Sequence, residues 1–382
     1  MNPPSKTLNA TQAEQVKWMK LAIRAAEKAR GTCSPNPFVG AVIVKNGKMI
    51  AEGWTQSYGG DHAEVQALAK AGKDARGADM YVTLEPCSHQ GKTPPCTQAI
   101  IAAGIKRIYL GILDPNPLVH GKGVLQLQEA GIEVFSGVLA EEISRQLEYY
   151  LCRVHNRRPF VIWKAALSLD GKYAAQDGSS RWISGERSRE QVHRLRQEAD
   201  VVLTGIGTVL ADDPLLNVRL KNAFKQPLRA VLDPLLKLPP DSRIARSMND
   251  FPTLVFCARG KEHTMRAKIL AALGAKIQPV TAIGNILSLQ EVLGILHQQG
   301  HCLVLLECGS KLASAFFAAR LVDKCLIFYG PKLLGGNKAM LAELNLPDIS
   351  SALNLQDLSC KASGEDLMVS AYPVYDWHGD SS

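Results

Sequence analysis

Three side chains in the first hundred residues carry the ligand atoms that zinc prefers. They are His62, Cys87 and Cys96, which offer one imidazole and two thiolates. A catalytic zinc site keeps three protein ligands so that the fourth position can hold water. Glu64 follows the histidine by two residues and could take a proton from that water and deliver it to a leaving amine. The pattern predicts hydrolytic deamination.

The spacing of the two cysteines restricts the class of zinc deaminase that the motif indicates. A His-x-Glu pair followed by Pro-Cys and a second cysteine resembles the zinc deaminase signature, in which the glutamate is the acid/base and not a ligand. Eight residues separate Cys87 from Cys96, whereas the common signature has two. The long gap argues against a generic cytidine deaminase and indicates a narrower family.

The residues that must position these ligands alternate between helical and strand patterns. Apolar residues recur at helical spacing over 11–30, and Asn46-Gly47 predicts a hairpin between two strands. His62 opens the next helix, and the cysteines follow a strand over 80–84. Further alternation up to residue 150 includes one helix over 140–150. This order predicts an α/β layer with helices on a largely parallel sheet.

The length of 382 residues predicts two domains, because a single core usually stops growing below that size. A basic, polar stretch over 153–159 separates the first pattern from a second α/β pattern that starts at Phe160. We therefore assign residues 1–150 to the zinc domain and 151–382 to a second domain. The second half lacks a Rossmann fingerprint, and its Gly205-Ile206-Gly207-Thr208 segment taken alone predicts a turn.

The overall composition indicates the cellular compartment of the protein but does not identify its binding partner. A formal charge of +8 fits nucleic acid, a phosphorylated substrate or a phosphorylated dinucleotide equally well. Nine cysteines scattered over a long chain differ from the dense, even framework of a small secreted domain. The first residues have no apolar core for a signal peptide, and no later run is long enough to span a bilayer. We expect a soluble, cytoplasmic protein.

The motifs together resemble the bifunctional riboflavin-biosynthesis family, which fuses a diaminohydroxyphosphoribosylaminopyrimidine deaminase to a 5-amino-6-(5-phosphoribosylamino)uracil reductase. Residues 83–89 (TLEPCSH), 93–96 (TPPC) and 114–117 (DPNP) match the first half, and 164–171, 207–214 and 331–336 match the second. The resemblance implies an N-terminal cytidine-deaminase-like three-layer α/β domain and a C-terminal dihydrofolate-reductase-like domain. It also implies zinc and NADPH as cofactors, a small phosphorylated pyrimidine as substrate, no nucleic-acid or membrane partner, and a homo-oligomer.

The resemblance also implies roles for individual residues. In the first half Glu64 is catalytic and His62, Cys87 and Cys96 hold zinc, while the substrate pocket contains Asn36, His89, Lys92, Asp114 and Asn116. In the second half the catalytic residues are Lys164, Asp212 and Glu307. The implied cofactor contacts are Ala166, Trp182, Thr208, Asp212, Gly309, Ser310 and Lys311, and the implied substrate contacts are Lys164, Ser180, Arg196, Leu216, Arg219 and Glu307.

Several alternatives remain open at this level. Arg196 and Arg219 either clamp the substrate phosphate bidentately or are ordinary solvated arginines, and Lys164, Asp212 and Glu307 either serve catalysis or form an ion-pair network. The charge also fits a tRNA base deaminase with an RNA-binding C-terminal half, against which stand the long cysteine gap and an aromatic content of 6%. A purely structural zinc would need a fourth ligand such as His89.

Overall fold

The structure, a computed structural model, describes residues 10–375. The chain divides between Arg157 and Arg158 into two compact units, each with its own apolar core. None of the helices within the described range is long and apolar enough to cross a membrane.

The first unit consists of helices packed on a five-stranded sheet. Its strands are β1 (Gly40–Lys45), β2 (Lys48–Trp54), β3 (Asp79–Leu84), β4 (Arg107–Ile112) and β5 (Glu133–Phe135). Its helices are α1 (Ala10–Glu27), α2 (Ala63–Ala71), α3 (Cys96–Ala103), α4 (Lys122–Glu129), α5 (Ala140–Gln146) and α6 (Glu148–Asn156). The strand order is β2-β1-β3-β4-β5, with β1 antiparallel to both neighbours and the rest parallel.

Two glycines allow helices of this unit to lie directly on the sheet. A Cβ on Gly40 would lie 2.0 Å from the Ala22 carbonyl oxygen of α1, and one on Gly53 would lie 2.1 Å from the Ala63 carbonyl oxygen of α2. Only glycine permits such an approach. The Asn46-Gly47 hairpin forms as predicted, with both residues at positive φ (51° and 69°).

The second unit has a larger sheet. Its strands are β6 (Phe160–Ser168), β7 (Val201–Gly205), β8 (Leu228–Leu232), β9 (Thr253–Ala258), β10 (Lys276–Val280), β11 (Ala282–Ile283), β12 (Ile286–Leu287), β13 (Leu303–Leu306), β14 (Lys324–Gly330), β15 (Asn354–Ser363) and β16 (Asp366–Val374). Its helices are α7 (Glu186–Glu198), α8 (Ile206–Asp212), α9 (Arg243–Arg246), α10 (Met265–Ala272), α11 (Leu289–Gln298) and α12 (Ser310–Ala318).

Nine of these strands form one sheet in the order β10-β9-β8-β7-β13-β6-β14-β16-β15, while β11 and β12 form a separate hairpin. Within the nine-stranded sheet β16 runs in the direction opposite to the other eight strands. The carboxyl ends of β7, β13 and β6 are therefore adjacent, and ligands of open parallel sheets bind at such edges. Trp163, Leu203, Val304 and Phe316 belong to the buried core of this unit.

The structure differs from the sequence-based prediction in seven elements. The single helix predicted over 140–150 is two helices, α5 and α6, which meet at Leu147. The segment after β7, predicted as a turn, is helix α8. Strands β10, β11, β12 and β15 and the short helix α9 were not predicted.

Candidate functional site

The three predicted zinc ligands converge in the first unit. His62 directly precedes α2 in an extended conformation, Cys87 lies in the loop after β3, and Cys96 is the first residue of α3. The His62 Nδ1 atom is 3.3 Å from Cys96 Sγ and 3.5 Å from Cys87 Sγ. All three ligand atoms lie within 4.8 Å of one another. One imidazole and two thiol groups at this spacing fit a zinc ion.

Hydrogen bonds inside this cluster set the ionisation of its members. A hydrogen bond with Cys96 and the imidazole of His62 together lower the pKa of the Cys87 thiol to about 4. The same hydrogen bond and burial raise the pKa of the Cys96 thiol. The bond with Cys87 raises the pKa of His62 to about 9. The protein groups alone therefore hold a thiolate beside an imidazolium, and zinc would displace the remaining protons on binding.

Glu64 lies in the first turn of α2 and is only 4% exposed. Burial raises the pKa of its carboxyl, and the nearby His62 opposes that effect. The neighbouring Cys96 side chain also acts to lower the pKa of the Glu64 carboxyl. A buried carboxyl in contact with the ligand cluster is placed to hold and transfer a proton, as general acid/base catalysis requires.

The predicted substrate residues Asp114 and Asn116 build a turn. The Asp114 carboxylate accepts hydrogen bonds from the Asn116 N–H (2.9 Å) and the Tyr150 hydroxyl (2.8 Å), and the Asn116 side-chain oxygen accepts one from the Leu118 N–H (3.1 Å). Such Asx-type bonds are typical of Asp and Asn in turns. The turn is therefore part of the fold, and contact of its side chains with substrate remains a prediction.

Glu85 also shapes this site, although no sequence pattern indicated a role for it. Its buried carboxylate lies two residues before Cys87 and binds the backbone of the loop between β4 and α4 and of the first turn of α4. It accepts four N–H groups at 3.0 to 3.2 Å, those of Asp114, Gly121, Gly123 and Val124. Only its place at the end of a buried strand could have pointed to it, since its partners are backbone groups.

The remaining predicted pocket residues of this unit lie between the two cysteines and in the segment before β1. His89 and Lys92 are exposed on the loop between the two cysteines, and Asn36 is half-buried before β1. Within the described residues, the cluster of potential metal ligands consists of His62, Cys87 and Cys96 without His89. Three ligands rather than four favour a catalytic zinc over a structural one.

A second ionisable cluster lies at the carboxyl end of β13, beside the middle of β6. Glu307 follows β13 and receives a bidentate pair of hydrogen bonds from Arg196 of α7, Nε to Oε1 at 2.6 Å and Nη2 to Oε2 at 3.0 Å. The Lys164 Nζ atom of β6 is 3.6 Å from Glu307 Oε2. The structure thus brings together three predicted residues on three different elements.

Burial and charge act in opposite directions on this cluster. Burial would raise the pKa of Glu307, but the charges and hydrogen bonds of Arg196 and Lys164 lower it to about 2. Burial lowers the pKa of Lys164, and Glu307 opposes that change. Glu307 is therefore a carboxylate at neutral pH, and Lys164 releases its proton more readily than a solvated lysine.

The two predicted phosphate-binding arginines have different surroundings. Besides Glu307, Arg196 binds the Asn217 carbonyl oxygen at 3.1 Å and is 9% exposed. Arg219 is exposed and donates one hydrogen bond to the Asn217 side-chain oxygen at 2.8 Å. Arg219 therefore has more N–H groups available for a phosphate, while Arg196 chiefly holds Glu307.

The predicted cofactor residues gather where α8 and α12 begin. Gly309 caps the nine-residue helix α12, and its N–H donates to Thr208 Oγ1 at 3.1 Å. The Ser310 hydroxyl donates to the Glu343 carboxylate, and Lys311 is exposed. A helix start with an adjacent lysine suits an anion such as a phosphate of NADPH. Ala166 is partly exposed on β6, two residues after Lys164, so both side chains point to the same face of the sheet.

The other predicted residues of the second unit lie on nearby loops and helix ends. Trp182 is 59% exposed, and the Arg189 guanidinium lies 4.6 Å from its ring centroid. Asp212 ends α8, and the Ser180 carbonyl oxygen accepts the Ile183 N–H at 3.1 Å. Leu216 buries its side chain and has a left-handed backbone (φ 53°), so contact with substrate would involve its backbone.

Comparison with known families agrees with the division of the chain into two units. The family model for the cytidine and deoxycytidylate deaminase zinc-binding region matches residues 12–112, and the model for the RibD C-terminal domain matches residues 159–369. An RNA-binding C-terminal half is therefore not supported, because that half matches the RibD domain.

Individual relatives cover nearly the whole chain. The riboflavin biosynthesis protein RibD of Aquifex aeolicus is 40% identical over 92% of this chain and 96% of its own. Acinetobacter baumannii RibD superposes with a TM-score of 0.85 at 35% identity, covering 95% of this chain and 100% of that structure. A diaminohydroxyphosphoribosylaminopyrimidine deaminase/5-amino-6-(5-phosphoribosylamino)uracil reductase from Thermotoga maritima gives 0.84 at 36% identity, with coverages of 95% and 100%.

These matches confirm the predicted fold class, a cytidine-deaminase-like unit followed by a RibD reductase unit built like dihydrofolate reductase. The relatives share both units in the same order over almost their full length. The chain belongs to the RibD family of bifunctional riboflavin-biosynthesis deaminase/reductases, which use zinc and NADPH.

Proposed function

We propose that the deaminase activity acts on 2,5-diamino-6-(5-phosphoribosylamino)pyrimidin-4-one and that the reductase activity converts the ribosyl group of the product to ribityl phosphate. The observation that carries this proposal is the presence of two separate reactive clusters on one chain. One is the His62, Cys87 and Cys96 triangle with buried Glu64, and the other is Glu307 with Lys164 and Arg196.

In the first unit His62, Cys87 and Cys96 hold the metal, which when bound makes water nucleophilic at neutral pH. Deamination replaces the amino group on a ring carbon with the oxygen of water, and protein groups must move the two protons of that water. Glu64 would pass one proton of the water to the adjacent ring nitrogen and the remaining hydroxyl proton to the amino group, so that the carbon–nitrogen bond breaks, ammonia leaves and a carbonyl remains. The buried position of Glu64 supports this role, since few competing water molecules reach its carboxyl.

In the second unit Gly309, Ser310 and Lys311 bind the cofactor, which when bound supplies the hydride. Lys164 donates a proton to the ribose oxygen as the carbonyl carbon is reduced, and its lowered pKa assists that transfer. Glu307 holds Lys164 and contacts the substrate, while Arg196 keeps the Glu307 carboxylate in place. Arg219 offers guanidinium N–H groups to the substrate phosphate.

The experiment that tests this proposal follows ammonia and NADPH in one vessel with the purified protein and the diaminopyrimidine ribotide. Glu64→Gln should retain zinc and lose ammonia release by about 10²-fold or more, the usual contribution of an acid/base group, while NADPH oxidation on the deaminated substrate continues. Lys164→Ala should spare deamination and lose NADPH oxidation. Loss of both activities in either variant would contradict two independent sites.

We also propose a homo-oligomer in the cytoplasm. Support for association comes from β15 at the edge of the large sheet, where Leu355 and Leu358 are 47% and 64% exposed. No disulfide joins any of the nine cysteines, all of which lie in the described part of the chain, and this suits a reducing compartment. Light scattering coupled to size-exclusion chromatography tests the first proposal, and a monomer at micromolar concentration would contradict it.

A further inference from the structure

An aromatic ring and an ammonium group connect the two loops that carry the zinc ligands. Tyr58 lies four residues before His62, and Lys92 lies between Cys87 and Cys96. The Lys92 Nζ atom is 3.8 Å from the centroid of the Tyr58 ring. This distance is well within the range of a cation–π contact. The contact thus joins the histidine loop to the cysteine loop.

The backbone of the histidine loop fixes the position of the tyrosine. A turn closed by the Gly60 N–H and the Ser57 carbonyl oxygen (2.8 Å) contains Tyr58, and the Gln56 N–H donates to the Asp61 carbonyl oxygen at 2.9 Å. Gly59 has a φ of +94°, a conformation that favours glycine. A Cβ at Gly59 would lie 3.8 Å from Lys92 Cδ, so the lysine stem runs along this turn.

The choice of partner matters for what Lys92 can bind. A carboxylate would neutralise the ammonium and compete with an anionic ligand, whereas a ring face attracts it without accepting its N–H groups as strong hydrogen bonds. In the part of the chain that the structure describes, no carboxylate pairs with Lys92. Its charge is therefore held in place but remains available.

We propose that Tyr58 is a positioning residue of the deaminase site, whose ring holds the Lys92 ammonium ready for the phosphate of the substrate. This inference rests on the proposed function, which makes Lys92 a substrate contact. Tyr58 is not one of the metal-ligating residues His62, Cys87 and Cys96, and it has no part in the proposed chemical step. Its removal should therefore weaken substrate binding without slowing the chemical step.

The test compares Tyr58→Leu with Tyr58→Phe, which retains the ring face and serves as the matched control. An exposed cation–π contact corresponds to a factor of about two to five in binding, so Tyr58→Leu should raise KM for the ribotide about two- to fivefold at unchanged kcat. Tyr58→Phe should behave like the wild type. Zinc content and the KM for the dephosphorylated riboside should be the same in all three proteins.

A double-substitution cycle separates this inference from the proposed function beneath it. Lys92→Met should raise KM for the ribotide more than Tyr58→Leu does, and the double variant should match Lys92→Met alone. Equal KM values for wild type and Lys92→Met would overturn the role of Lys92 in substrate binding. An effect of Lys92→Met together with a normal KM in Tyr58→Leu, or additive effects in the double variant, would overturn the role of Tyr58 only.

Discussion

At the scale of single residues, the Glu307 carboxyl stays ionised only because of the charged side chains beside it. It is nearly buried, and two hydrogen bonds from Arg196 with the nearby charge of Lys164 keep it ionised. Removing one member of such a buried group leaves an uncompensated charge, which is far more costly than losing a surface ion pair. The stability of the second unit should therefore depend on this residue and on pH.

We expect Glu307→Gln to lower the free energy of unfolding of the second unit by about 3 kcal/mol at pH 7. The pKa of Glu307 is about 2 in the folded protein against an ordinary value of 4.5, so its stabilisation is fully present above about pH 4.5 and is lost as pH falls towards 2. Urea unfolding of both proteins between pH 7 and pH 2.5 measures this. A difference between them that does not shrink at low pH would contradict the prediction.

The sequence predicted site residues where residue type and spacing carry the chemistry. His62, Cys87 and Cys96 stood out because zinc demands those atoms, and the structure brings them together. Glu85 was missed because its carboxylate binds four backbone N–H groups, which every residue but proline offers. The pairing of Arg196 with Glu307 could not be foreseen either, since it joins residues 111 positions apart.

At the scale of elements, the position of α2 decides where His62 and Glu64 lie. Gly53 of β2 lies against this helix, with no room for a Cβ next to the Ala63 carbonyl oxygen or the Ala67 nitrogen, which would be 2.1 and 2.6 Å away. Both neighbours are backbone atoms and cannot rotate aside. Any side chain at position 53 must therefore move the helix.

We expect Gly53→Ala to reduce zinc content and deaminase activity at least tenfold, because displacing α2 by about 1 Å misplaces a ligand and the acid/base together. Reductase activity on the deaminated substrate should be retained. The matched control is Gly294→Ala in α11, where a Cβ meets nothing within 4 Å. That variant should be fully active and slightly more stable. Normal zinc content in Gly53→Ala would show that the helix can adapt.

The sequence predicted elements with clear periodicity and missed those without it. Both faces of β15 are largely exposed, so it shows no alternation of apolar and polar residues. Strand β10 reads KIQPV, and its proline opposes a strand assignment. Helix α8 begins after Gly205 and contains Gly207, which mask its helical character. Tertiary contacts, not local propensity, determine these three elements.

At the scale of the whole molecule, the two units have cores with no residue in common. Zinc binds groups of the first unit and the proposed cofactor residues belong to the second. Ligand binding stabilises only the folded state to which the ligand binds. Each ligand should therefore stabilise its own unit.

Calorimetry of the full chain tests this independence. Removal of zinc by a chelator should lower the melting temperature of one transition, and NADPH at one hundred times its Kd should raise the other by roughly 5 °C or more, corresponding to about 2.7 kcal/mol. A chelated sample should still oxidise NADPH when given the deaminated substrate. A single transition that responds to both ligands would indicate that the units unfold as one.

The eight-residue spacer between Cys87 and Cys96 also bears on the selectivity of inhibitors. It provides the length that brings Lys92 to the ring of Tyr58, whereas the two-residue spacer of the common deaminase signature leaves no such arm. A compound that joins a zinc-binding group to an anionic tail directed at Lys92 would therefore bind this enzyme more tightly. The same tail would add no affinity for deaminases with the short spacer.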